Sequence, residues 1–211
     1  EAMAVNGEGP AFLARIAARR NIKVVHYSTD YVFDGTKKTP YLETDPVAPL
    51  GQYGVTKLAG ERQVLEASSR HLVIRTSWLF GPWGRNFVDT MLKLGATRTQ
   101  LKVVADEIGG PTYTFNLVKA TVAALEKKLS GLYHVTGQGQ VSWADFARRI
   151  VSSLSPPPEV ISLTAKEYGA PAQRPSYSVL SCEKFEKATG HKLPSWEAGL
   201  ADYSSFSNSM N

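Results

Sequence analysis

The spacing of apolar positions in the first third of the chain predicts alternating helices and strands. Apolar residues at helical intervals follow Pro10, and short β-branched runs at 22–27 and 71–75 are typical of buried strands. Between these strands lie a polar loop at 29–50 and a helix at 52–68 with one apolar side. A strand, a helix and a strand in this order form a right-handed parallel crossover, so the pattern predicts an α/β fold.

The alternation continues through the middle of the chain and fades near its end. Helices are predicted at 87–95, 115–128, 143–153 and 183–189, and strands at 101–104 and 131–135. Ser142 followed by Asp145 is typical of a helix N-cap. Past the three prolines at 156–158 the periodicity is weak, and residues 204–211 are expected to form a frayed tail.

Composition and charge narrow the class of protein. The 211-residue chain has a net charge of +5, but its basic residues occur as scattered pairs with acids between them, which favours a solvated surface over a nucleic-acid site. Its single cysteine, Cys182, excludes a disulfide framework and fits the reducing cytoplasm. No apolar run approaches the roughly 20 residues that span a bilayer, and the four scattered histidines predict no metal site.

The candidate chemistry centres on Tyr53 and Lys57. Residues four apart on a helix share one face, and an ammonium beside a phenol favours the phenolate, so we expect Lys57 to lower the pKa of Tyr53. The pair alone is weak evidence, because it often arises by chance. Ser28, Thr29 and Asp30 strengthen it, since they leave the first predicted strand at its C-terminal end, where open α/β sheets bind ligands. A hydroxyl, a Tyr and a Lys in one crevice suit the reduction of a carbonyl by a nicotinamide.

Four longer segments carry a more specific signal: STDYVFDG, PYLETDPVAPLGQYGVTKLAGE, RTSWLFGPWGRNF and DEIGGPT. They resemble the dTDP-4-dehydrorhamnose reductases, a branch of the extended short-chain dehydrogenase/reductase superfamily. The resemblance implies that Thr29, Tyr53 and Lys57 are catalytic and that Ser28, Tyr53 and Lys57 contact the cofactor. It also implies that NADPH, or in some members NADH, reduces the 4-keto group of dTDP-4-dehydrorhamnose to give dTDP-L-rhamnose for cell-surface polysaccharide.

The same resemblance implies a substrate side. Asp30 lies in the site, Trp78 lies against the sugar, and Arg174 binds the diphosphate. Asn86 and Phe87 begin a helix after a Gly-rich loop and could offer backbone N–H groups to a phosphate. A core role for Trp78 and a simple N-cap for Asn86 stay open as alternatives.

Two positions depart from the family pattern. Glu107 stands where the family commonly has Gln, and a carboxylate near a diphosphate is unfavourable. Tyr177 stands where the family often has Asn, which weakens the match at that end.

The resemblance also implies the domain organisation. Residues 1–77 correspond to the remaining part of a Rossmann-like dinucleotide-binding domain with the catalytic residues. Residues 78–211 correspond mainly to a smaller substrate-binding region, with 114–136 returning to the sheet. Since no Gly-rich turn precedes residue 22, we expect an incomplete parallel sheet that lacks its first βα units, binds NADPH poorly and is inactive alone.

Two other functions stay open at this stage. A regulatory subunit of methionine adenosyltransferase has a similar SDYVFDG segment and no catalysis, and another nucleotide-sugar epimerase or reductase of the superfamily would share the fold. For each of the enzymatic alternatives the expected partner is a nucleotide sugar, the dTDP-sugar above all, with no nucleic acid or membrane. Assembly into a homo-oligomer and any role of a divalent metal are undecided.

Overall fold

The computed structural model describes residues 1–209, in which eight α-helices and nine strands alternate along the chain. The helices are α1 (Gly9–Arg19), α2 (Gln52–Ala67), α3 (Phe87–Gly95), α4 (Thr114–Glu126), α5 (Trp143–Val151), α6 (Ala165–Tyr168), α7 (Glu183–Thr189) and α8 (Trp196–Ser209). The strands are β1 (Val25–Thr29), β2 (Leu72–Thr76), β3 (Leu79–Phe80), β4 (Gln100–Val104), β5 (Ile108–Gly109), β6 (Thr112–Tyr113), β7 (Gly131–His134), β8 (Val141–Ser142) and β9 (Glu159–Leu163). A π-helical segment, Ala4–Glu8, leads into α1.

A parallel sheet of order β1-β2-β7 organises the first part of the molecule. Every residue of the central strand β2 is buried, which explains the apolar run 72–74 at its start. Its side chains alternate between the two faces: Leu72 and Ile74 pack with α4, whereas Val73 packs with Ala14 of α1 and Val64 of α2. The predicted α/β fold with a Rossmann-like parallel sheet is confirmed.

A second core lies in the later part of the chain. Helices α3, α5 and α8 pack around an aromatic cluster that includes Phe80, Phe146, Trp196 and Tyr203. Strands β4 and β9 pair in parallel beside it. Helix α4 and strand β7, which lie in the sequence between residues of this second core, belong to the first sheet instead. Helix α4 covers Ile74, and β7 pairs with β2.

The sequence prediction was wrong near the C-terminus. Residues 204–209 belong to α8 and are not a frayed tail, while 210 and 211 lie outside the described residues. The strand β9 and the short helix α6 were also missed. In α8 the Ser-rich sequence has low helix propensity, but Trp196, Leu200 and Tyr203 share one buried face, and this packing stabilises the helix.

Within residues 1–209, no helix combines the length and the apolar character that a bilayer crossing requires.

Candidate functional site

Thr29 ends strand β1 and begins the candidate site. Its side-chain oxygen accepts a hydrogen bond from the backbone N–H of Tyr31 at 3.1 Å and so caps the 3₁₀ turn Asp30–Val32. Its hydroxyl donates to Asp30 Oδ1 at 3.0 Å. Both side chains are buried, so the strand end presents a fixed hydroxyl and a fixed carboxyl.

Helix α2 brings Tyr53 to this strand end because Gly54 allows close contact. A Cβ at Gly54 would lie 2.2 Å from the backbone oxygen of Tyr31, a distance at which real atoms clash. Tyr53 and Thr29 line the same cavity, and the Tyr53 ring meets the edge of Tyr31 at 5.9 Å between centroids. The hydroxyl and the phenol that the sequence predicted to share a crevice therefore lie on the wall of one cavity.

The pKa of Tyr53 corrects the sequence argument. Burial raises the pKa of Tyr53, the hydrogen bond with Thr29 opposes that rise, and the charge of Asp30 adds to it. Lys57 is not a cause of the shift; its ammonium instead donates to the backbone oxygen of Tyr27 at 2.5 Å. The expectation that Lys57 lowers the pKa of Tyr53 is wrong for this structure.

An inner cavity of about 300 Å³ opens beside the Thr29–Tyr53 pair. Its walls are Ser28, Thr29, Asp30, Tyr31, Tyr53, Thr76, Ser77, Trp78, Leu79 and Trp143. Within the described residues, four of the five buried side-chain polar atoms without a hydrogen-bond partner belong to this wall: Ser28 Oγ, Asp30 Oδ2, Thr76 Oγ1 and Trp78 Nε1. Buried polar groups normally find partners, so this concentration is the mark of a polar ligand site.

Trp78 forms one wall of the inner cavity in a strained backbone conformation. Its φ is +47°, a region that bulky residues rarely adopt. The ring stacks on Trp143 with 3.4 Å between centroids, and it lies so close to Gly109 that a Cβ there would approach the ring to 2.4 Å. The strain is thus held by packing on both sides of the ring.

An outer cavity of about 290 Å³ adjoins the inner one and shares the walls Tyr31 and Trp143 with it. The remaining lining residues are Phe87, Met91, Lys102, Val103, Val104, Glu107, Tyr168 and Arg174. The inner cavity lies at the C-terminal ends of the β1 and β2 strands, and Tyr31 and Trp143 separate it from the outer one.

Arg174 and Glu107 set the charge of the outer cavity. Tyr31 and Arg174 line this cavity together; burial raises the pKa of Tyr31, and the charge of Arg174 opposes that rise. Glu107 is 6% exposed; burial raises its pKa, while Arg174 and a hydrogen bond from Trp143 oppose the rise. The carboxyl that departs from the family pattern is therefore held against both Arg174 and Trp143.

The structure separates the other predicted residues. Phe87 lines the outer cavity, but Asn86 is absent from both walls. Asn86 caps α3 by accepting from the N–H of Asp89 at 3.1 Å, and its amide donates to the Gly81 oxygen at 2.9 Å. The sequence analysis did not assign Tyr31 or Trp143 to the site. The signal for Tyr31 was its position directly after Asp30.

Fold and site together define the class of the protein. A hydroxyl at the end of a parallel strand, with a Tyr and a Lys four residues apart on the following helix, forms the site of short-chain dehydrogenases/reductases. Comparison with protein-family models assigns the chain to one family within this class. The family model of the RmlD substrate binding domain matches residues 1–207, and the chain belongs to this family.

Similar proteins bear the name that the sequence resemblance suggested. The dTDP-4-dehydrorhamnose reductase of Sinorhizobium fredii is 41% identical over 208 residues, covering 93% of this chain and 70% of the relative. A structure of that reductase from Clostridium acetobutylicum has a TM-score of 0.93 at 40% identity, covering 96% of this chain and 72% of that one. Another, from Bacillus anthracis in complex with NADP, has a TM-score of 0.90 at 38% identity, covering 94% and 70%.

Proposed function

We propose that this chain carries the catalytic and substrate-binding side chains for the reduction of dTDP-4-dehydrorhamnose to dTDP-L-rhamnose by NADPH. The observation that carries the proposal is the placement of Thr29 and Tyr53 on the wall of one cavity where buried polar atoms lack partners. Membership of the reductase family supports the same reaction.

The residues around Tyr53 fit a nicotinamide cofactor. Ser28 Oγ is buried without a partner on the cavity wall, and the ammonium of Lys57 has three donors of which one is placed on Tyr27. We assign Ser28, Tyr53 and Lys57 to cofactor binding, with Lys57 holding ribose hydroxyls. When bound, the reduced cofactor supplies the hydride that the 4-keto carbon accepts. We choose NADPH over NADH because the Bacillus anthracis relative was solved in complex with NADP.

Tyr53 supplies the proton in this proposal. A raised pKa keeps the phenol protonated at neutral pH, which is the form that a proton donor needs in the direction of reduction. Thr29 polarises the carbonyl oxygen by donating its hydroxyl proton in a hydrogen bond. The carbonyl oxygen takes the Tyr53 proton and becomes the product hydroxyl, and the phenolate is reprotonated from solvent.

The substrate occupies both cavities in this proposal. The deoxysugar lies in the inner cavity against the plane of Trp78 and near Asp30, while Arg174 binds the diphosphate in the outer cavity, where a guanidinium matches phosphate oxygens. Phe87 is an apolar wall. The Asn86 side chain caps α3, so a phosphate at this helix start would be held by the backbone N–H groups of Asn86 and Phe87.

The domain division near residue 77 and the location in the cytoplasm belong to the same proposal. The separate core around α3, α5 and α8 supports the domain division. The single free cysteine supports the cytoplasmic location. The lack of turnover by the chain on its own stays a prediction.

The test is the consumption of NADPH with the keto-sugar by the full-length product of the gene that carries this chain. Tyr53→Phe and Thr29→Val are expected to lower kcat at least about a hundredfold, the usual range for a lost acid or a lost oxyanion donor. Tyr27→Phe is the matched control, because it removes a phenol that bonds Thr121 and lines neither cavity. Near-normal turnover by Tyr53→Phe would refute the proposal.

A further inference from the structure

The hydroxyl of Thr29 has one proton to donate and several partners that compete for it. In the structure that proton is directed to Asp30 Oδ1 at 3.0 Å, while the oxygen accepts from the N–H of Tyr31 at 3.1 Å. A hydroxyl has a single donor, so Thr29 cannot donate to Asp30 and to a substrate carbonyl at once. Catalysis of the proposed kind therefore requires Asp30 to release that hydrogen bond.

Asp30 is built to exist in two protonation states. It is 2% exposed, and its Oδ2 has no hydrogen-bond partner within the described residues. Burial raises the pKa of Asp30 to about 7, while hydrogen bonds with Ser178 and Thr29 favour the ionised form. Both forms are populated near neutral pH.

The surroundings of Asp30 contain few groups that could titrate with it. Tyr31 from its own turn and Tyr53 from α2 are the titratable side chains that respond to its charge, and both have a raised pKa. Ser178, from the segment packed on the other side, is uncharged, and within the described residues no Lys, Arg or His contributes to the shift of Asp30. Because no counter-ion among the described residues compensates the charge of Asp30, a change in that charge alters its hydrogen bond with Thr29.

We propose that Asp30 is a positioning residue that decides where the Thr29 proton points. In its neutral form Asp30 donates to the Thr29 oxygen, and Thr29 is free to donate to the substrate carbonyl. In its ionised form Asp30 takes the Thr29 proton as a hydrogen-bond acceptor, and Thr29 can only accept. Asp30 keeps its own proton through each turnover, so the balance of the reaction is unchanged. This inference rests on the proposed function.

The test compares pH profiles of kcat for the full-length protein. Wild-type kcat should fall about tenfold for each pH unit above the Asp30 transition, since only the neutral form is active. Asp30→Asn, which can donate to Thr29 at every pH, should show no transition near neutrality. Ser178→Ala removes a hydrogen bond that favours the ionised form, so it should move the transition to higher pH.

The possible failures are distinguishable. An Asp30→Asn variant with the wild-type transition, or one that folds but is inactive at every pH, would overturn the role of Asp30 while the Tyr53 and Thr29 variants still upheld the reductase. Normal turnover by the Tyr53 and Thr29 variants would instead remove the proposed function. Infrared titration of the Asp30 carboxyl, by difference between wild type and Asp30→Asn, provides a readout without turnover: a transition near neutrality is expected, and its absence contradicts the inference.

Discussion

Arg75 of β2 and Glu61 of α2 form a bidentate ion pair beneath the site, with Nε to Oε2 at 2.9 Å and Nη2 to Oε1 at 2.5 Å. Both side chains are 3% exposed. The pair joins the helix that carries Tyr53 to the central strand. Arg75 Nη1 also lies 3.3 Å from His134 Nε2 on β7, so one guanidinium links three elements.

Removing one partner of this pair should strongly destabilise the protein. Glu61→Gln leaves the Arg75 charge buried without its counter-ion, and we expect the free energy of unfolding to fall by about 3 kcal/mol or more. The measurement is urea unfolding. Glu183→Gln is the matched control, because its pair with Lys187 is exposed and should change stability by less than about 0.5 kcal/mol. Equal effects of the two substitutions would contradict the argument.

Gly54→Ala should separate Tyr53 from Thr29. The added methyl meets the Tyr31 oxygen, so α2 must shift, and we expect a loss of kcat of at least about tenfold, because misplaced catalytic groups cost that much or more. Gly84→Ala is the control, since a Cβ there has nothing within 4 Å. The steady-state assay checks both, and unchanged kcat in Gly54→Ala would show that the close contact does not position Tyr53.

Tyr53 should titrate above the ordinary value for a tyrosine. Because burial raises its pKa, the ultraviolet difference spectrum between wild type and Tyr53→Phe should show the phenolate only at a pH above 10.0, the unperturbed value. Lys57→Met should leave this transition in place, since Lys57 does not cause the shift. A transition below 10.0 that rises in Lys57→Met would restore the original expectation from sequence.

Asp30→Asn should stabilise the fold in a pH-dependent way. The pKa of Asp30 is 3.8 when unperturbed and about 7 in the fold, so between these values only the unfolded chain loses the proton. The free energy of unfolding of the wild type therefore falls by a few kcal/mol as the pH rises from about 4 to 7. Above about pH 7 this loss no longer grows. Urea unfolding at pH 4, 6 and 8 checks this: the advantage of Asp30→Asn should grow and then level, and a pH-independent difference would contradict it.

Glu107→Gln should bind dTDP more tightly than the wild type. It removes a carboxyl that faces Arg174 in the outer cavity, and we expect the Kd to fall several-fold, on the order of 1 kcal/mol for a partly screened charge. Calorimetric titration with dTDP measures it. Glu126→Gln, on the exposed side of α4, is the control for net charge alone. Weaker binding by Glu107→Gln would mean that the carboxyl orders Arg174 and Trp143 for the ligand.

Local signals in the sequence identified much of the fold. Residues close together in the sequence encode the β-branched runs of β1 and β2 and the apolar side of α2. They also encode the Ser142 cap, whose oxygen accepts a hydrogen bond from the Asp145 N–H at 3.0 Å. Helix α8 was missed because its stability comes from packing on the distant Phe80 cluster.

The site was predicted less completely for the same physical reason. Thr29 and Tyr53 were found from motif and strand position. The Trp78–Trp143 stack joins residues from distant parts of the chain, and the pKa of Tyr53 depends on burial, so neither is visible in local sequence.

Tyr31 and Trp143 line both the inner and the outer cavity. A molecule bound in one cavity therefore touches rings that a molecule in the other cavity also touches. Two fragments bound side by side should therefore show positive cooperativity, each lowering the dissociation constant of the other by the same factor, as thermodynamic linkage requires.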